Sequence, residues 1–166
     1  MILGLSVELF TKLHVAISLI GLISGLVAVM AMVGKRYTPG VTALFLATTV
    51  LTSVTGFFFH SKAFGPPHVI GVLSLVIVAV ALFAIYVRKL AGIWRGTYVV
   101  TAVLALYLNA FVAVVQAFQK LPVLHAMAPR GSEPPFAIAQ AATLALMALL
   151  GFLAFRNFKP ATAAKV

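Results

Sequence analysis

Residues 68–87, HVIGVLSLVIVAVALFAIYV, run for twenty positions without a single Asp, Glu, Lys or Arg. A helix of that length is roughly 30 Å long, the thickness of a bilayer's hydrocarbon core, and it has no polar face to offer to water. Stretches of similar length and character recur at 12–33, 41–60, 97–118 and 136–155. The pattern predicts an all-α integral membrane protein, a bundle of five transmembrane helices at about 12–33, 41–60, 68–87, 97–118 and 136–155. The whole chain, 1–166, reads as one transmembrane helical domain, with 119–135 as an outer loop or lid.

Composition agrees with that reading. The 166 residues are 63% hydrophobic and 8% charged, with a mean hydropathy of +1.17. A soluble domain is about 45–50% apolar and about 25% charged. The formal net charge of +10 does not indicate a nucleic-acid partner, because the cations occur in short groups between apolar runs rather than on one solvated face. With no cysteine, thiolate ligands, disulfides and cysteine redox chemistry are excluded. The start, MILGLSVELFTKLH, lacks a basic n-region and a small-residue cleavage site, so the first apolar stretch is expected to be retained as a membrane anchor.

All eight prolines fall outside the five expected spans, where a missing N–H and a clash with the preceding turn punctuate helices. Connections 34–40, 61–67 and 88–96 are short, which predicts antiparallel neighbours. Lys35, Arg36, Arg88, Lys89, Arg95, Arg156, Lys159 and Lys165 gather on one side, and Lys12, Lys62, Lys120 and Arg130 on the other. By the positive-inside rule this predicts an outer N-terminus and a cytoplasmic C-terminus.

On that topology all four histidines and both acids fall on the outer side. His14 starts the first helix, His60 ends the second, His68 opens the third and His125 lies in 119–135, while Glu8 and Glu133 flank the first and fifth helices. Imidazole and carboxylate are the ligands that zinc, copper and iron accept without thiolate, so His14, His60, His68, His125, Glu133 and Glu8 are candidate metal ligands. A haem b held by two facing imidazoles is the other cofactor of this chemistry. No HExxH-type pair exists, so either site has to be assembled from different helices. Between His60 and His68 a Gly65-Pro66-Pro67 turn can bring two helix ends together, and a histidine at a helix N-terminus is favoured as the neutral ring. Below His14, Ser18, Gly21, Ser24 and Gly25 form a small-residue stripe that admits either a flat macrocycle or a neighbouring helix.

Asn109, Gln116 and Gln140, with Gln119 at the outer end of the fourth helix, are candidate pocket-lining residues, with interhelical hydrogen bonding as the alternative. Thr48, Thr52 and Thr55 form a second stripe on the second span, with Thr49 and Ser53 beside it, and most of these are expected to bond the carbonyls four residues back. The stretch 116–136, QAFQKLPVLHAMAPRGSEPPF, is the least generic in the chain. It resembles a segment of an uncharacterised family of small bacterial inner-membrane proteins, which implies that membrane and no activity. Five spans and this length are also similar to the tryptophan-rich sensory proteins, but the single Trp94 departs from them.

With no Asp, no GxSxG, no P-loop and no dinucleotide fingerprint, nucleotide-driven and serine-hydrolase chemistry has no footing. Two classes of function stay open. One is a metal or haem protein for metal handling, electron transfer with a quinone, or chemistry on a lipophilic substrate. The other is a non-catalytic accessory subunit or a small-molecule- or lipid-binding bundle. Either can act as a homo-oligomer or within a larger membrane complex.

Overall fold

The computed structural model describes residues 1–59 and 64–160. It is helical throughout: α1 (Val7–Val33), α2 (Pro39–Gly56), α3 (Pro66–Leu82) continued by a π-helical turn (Phe83–Val87), α4 (Ile93–Lys120), a short α5 (Pro122–Met127) and α6 (Pro134–Asn157). Five of these are long and apolar enough to cross a membrane. This is a multi-pass helical bundle.

Most expected boundaries move outward, and the cause is capping chemistry. Ser6 accepts a 3.2 Å bond from the Leu9 amide and starts α1 five residues before the apolar run. Pro39, Pro66, Pro122 and Pro134 are each the first residue of a helix, where no N–H is needed and the fixed φ is already helical. The prolines thus start helices rather than merely separate them. α1 ends when the amides of Lys35 and Arg36 return to the carbonyls of Met32 and Ala31, a Schellman closure with Lys35 at φ +62°. The expected second span is shorter than predicted, ending at Gly56, and 119–135 is a loop interrupted by α5.

Around the bundle each helix touches the next in the order α1, α2, α3, α4, α6 and back to α1, with α1 and α4 also in direct contact. α4 is the hub: 39% of its membrane-length stretch is buried, against 11% for α6. Small residues on α4, Ala102, Ala105 and Ala110, let its neighbours approach, and Phe45, Val78, Tyr98, Leu106 and Phe158 fill the core. Outside, large apolar side chains such as Ile23, Val76, Ile138 and Phe152 are more than half exposed. In water that would be an aggregating surface; in a bilayer it is the lipid contact.

The contacts also fix the two ends. Asn157, ending α6, reaches Val33, ending α1, and Arg95 at the start of α4 reaches Phe155 and Phe158. This is the basic end. The opposite end carries His14, His68, His125, Glu8 and Glu133, and is called the histidine end below.

Candidate functional site

His14 sits half-buried about two turns into α1, with Nδ1 2.8 Å from Thr55 Oγ1 on α2 and its ring edge-on to Phe59 at 5.1 Å. The Thr55 hydroxyl has one proton, and it is directed 2.6 Å to the Leu51 carbonyl. The network therefore assigns Thr55 as acceptor, places the imidazole proton on Nδ1 and leaves the lone pair on Nε2. That is the tautomer of an oriented metal ligand or proton acceptor.

His68 is committed differently. Its Nδ1 accepts the Gly65 amide at 3.1 Å, closing the first turn of α3, and its ring stacks on Phe64 at 5.2 Å. This is the side-chain half of a capping box, with histidine in the place of Glu or Gln. Ligation through Nε2 needs the ring proton on Nδ1, which would break that cap. The expected role as a metal ligand and the observed role as a cap compete for one lone pair.

The acids are also locally engaged. Glu133 accepts the amides of Arg130 and Ser132, both at 3.0 Å, across a turn in which Gly131 takes φ +67°. Desolvation alone would raise its pKa, but the backbone donors of Ser132 and Arg130 outweigh that and hold it below the ordinary carboxylate value. Glu8 pairs with Lys12 at 2.6 Å on an exposed helical turn, a pair worth about 0–1 kcal/mol. His125 is exposed on α5. Among the described residues no three His or Glu side chains form a group that could hold a metal ion. His60 lies outside the described residues.

The small-residue stripe on α1 resolves in favour of packing. A Cβ at Gly25 would lie 2.6 Å from the Phe45 ring and 2.9 Å from Leu106, and one at Gly21 would lie 3.1 Å from Thr48 Oγ1. The groove is filled by side chains of α2 and α4. Asn109 donates from Nδ2 to Thr49 Oγ1 at 3.0 Å, joining α4 to α2, and Gln140 donates to the Phe111 carbonyl at 3.2 Å, joining α6 to α4. Gln116 is exposed. Asn109, Gln116 and Gln140 do not converge: two of them act as interhelical bonds. Thr48, Thr49 and Thr55 bond the carbonyls four residues back, as expected for most of this stripe, whereas Thr52 Oγ1 is buried without a partner among the described residues.

What the histidine end does contain is a cavity of about 190 Å³ between the end of α4, the α5 segment and the start of α6. Phe118 and Phe136, edge to face at 5.4 Å, supply apolar wall, and Gln119, His125 and Arg130 supply polar groups. Of these, the sequence marks His125 as a candidate metal ligand and Gln119 as a candidate pocket-lining residue; it does not single out Arg130 or the two phenylalanines. Gln119, Arg130 and the two phenylalanines all lie in the stretch 116–136, whose density of polar, Pro and aromatic residues between two apolar spans was the available signal. No family model, no curated protein and no solved structure matches this chain.

Proposed function

We propose that this is a multi-pass protein of the bacterial inner membrane, N-terminus outside and C-terminus cytoplasmic, that binds the head of a lipophilic small molecule at its outer face. The segment 119–135 serves as the lid. The orientation rests on the eight-to-four distribution of Lys and Arg. The ligand reading rests on one observation, the cavity under α5 that combines aromatic walls with His125, Gln119 and Arg130.

Its volume is below the roughly 300–1,000 Å³ of ordinary ligand pockets, so it suits a head group whose tail stays in the bilayer. A flat ring bearing carbonyl acceptors matches the wall and the donors: Phe118 and Phe136 for the ring faces, Gln119 and Arg130 for the oxygens. A quinone is the class with that chemistry. Titrating a short-chain benzoquinone into the detergent-solubilised protein should give saturable binding that is lost in His125→Ala and in Ala128→Phe, which fills the cavity. Binding that is absent, or unchanged in both variants, defeats this reading.

A second reading, a metal ion (zinc, copper or iron) or haem b, is favoured by the His14 tautomer, which presents Nε2 as a lone pair. Elemental analysis and an absorbance spectrum of chelator-free protein test it: near-stoichiometric metal or a Soret band that disappears in His14→Ala supports it, and metal-free, colourless protein rules it out.

A further inference from the structure

At the opposite end of the molecule, the C-terminal turns of α1 and α6 enclose an open cavity of about 330 Å³ lined by Lys35, Arg156, Asn157 and Lys159. The geometry points to a binding site for the phosphate of an anionic phospholipid headgroup, held between the ends of α1 and α6. The site is independent of the ligand cavity at the histidine end.

Among the described residues no acidic group answers the charge there. Both acidic side chains, Glu8 and Glu133, lie at the histidine end. Cations near helix C-termini are ordinarily explained by the exposed carbonyls, but here those ending α1, and the Phe155 and Phe158 carbonyls at the end of α6, already have donors. Arg95 donates to the carbonyls of Phe155 and Phe158, Asn157 donates to Val33 at 2.9 Å, and the Lys35 and Arg36 amides close α1. Among the described residues the side chains of Lys35 and Lys159 have no hydrogen-bond or ion-pair partner. Arg156 lies over the Phe152 ring at 5.5 Å, which leaves its N–H edge for an oxyanion.

Lys35 carries a second indication. It occupies the left-handed position that closes the Schellman turn, at φ +62°, a place glycine fills without strain. Holding a lysine in that conformation costs stability and places its ammonium beside the end of α6.

The apolar surroundings decide the source of the phosphate. The cavity sits at the edge of the membrane-spanning stretch, and the outer surfaces leading to it, Val27 and Met30 on α1 and Phe152 on α6, are about half exposed. Acyl chains cover such surfaces and free phosphate does not. Basic pockets between helix ends are a recurrent way to hold anionic lipid headgroups.

The test uses the full chain in a neutral detergent, with phosphatidylglycerol, phosphatidylcholine and inorganic phosphate as probes, read by native mass spectrometry and thermal unfolding. Phosphatidylglycerol should be retained and should raise the transition, while the other two do neither. Lys35→Gly and Lys159→Gln should each weaken retention about fivefold, and together about thirtyfold. Arg88→Gln with Lys89→Gln, at the same end but outside the cavity, should change it less than twofold. Lys35→Gly relieves the backbone, so its loss of lipid cannot be ascribed to misfolding. The proposal is overturned by inorganic phosphate stabilising as well as the lipid, by the Arg88 and Lys89 pair losing lipid to the same degree, or by unchanged retention in the Lys35→Gly, Lys159→Gln protein.

Discussion

Among the described residues, the basic end of the bundle is tied together by bonds between residues far apart in the chain, and the histidine end is held largely by bonds between close neighbours. At the first, Arg95 spans 60 and 63 residues to Phe155 and Phe158, and Asn157 spans 124 to Val33, around the buried rings of Tyr98 and Phe158. At the second, His68 reaches three residues to Gly65, Glu133 reaches three and one, and Glu8 pairs within one turn, so that among the described residues the long ties are His14 to Thr55 and Gln140 to Phe111. Long-range ties lock helices to each other, whereas local caps fix a loop's shape and leave it able to move against the bundle. The difference makes one end the scaffold, and on the proposed function the other end is where the ligand would enter.

The largest expected effect is at the scaffold. Phe158, 1% exposed and packed near Tyr98 and Tyr37, should destabilise the protein by about 3–5 kcal/mol when replaced by Ala, read by thermal or denaturant unfolding in detergent. A loss below about 1 kcal/mol would break the contrast between the ends. Arg95→Ala removes two charge-assisted bonds and leaves two carbonyls with fewer donors, for a loss of about 2–3 kcal/mol. Asn109→Ala, which severs the bond to Thr49 between the ends, should cost about 1 kcal/mol.

The histidine end should respond less in stability and more in local motion. His68→Ala removes one cap and should shift stability by about 1 kcal/mol. Glu133 titrates below its ordinary value of 4.5, so its hold on the turn is present above that value and is lost as pH falls through the lower folded pKa. Hydrogen exchange at the Arg130 and Ser132 amides should show that loss of protection in the native chain. In Glu133→Gln the step should be absent.

The five spans could be read directly because twenty uncharged residues leave a bilayer as the main solution, and residues such as Ile23 and Ile138 indeed face outward. Helix ends were less legible: Ser6 and the prolines extend the helices by chemistry that hydropathy does not register. The histidines were legible as ionisable residues at one end, but not as separate structural devices. Which nitrogen of His14 or His68 carries the proton follows only once Thr55 and Gly65 are in place. Likewise Gly21 and Gly25 read as a stripe open to a ring or a helix, and only the positions of Phe45, Leu106 and Thr48 decide for the helix. The basic cavity was visible only as a count of Lys and Arg, since the meeting of Lys35 with Lys159 depends on how α6 returns beside α1.

The most direct test compares benzoquinone affinity and unfolding stability side by side in the native chain, His125→Ala and Arg95→Ala. Scaffold and site at opposite ends require that His125→Ala lose the ligand while its stability stays within about 0.5 kcal/mol, as expected for an exposed residue. They also require that Arg95→Ala, where still folded, keep the native affinity at reduced stability. Ligand binding that survives in His125→Ala but is abolished in folded Arg95→Ala would contradict the account.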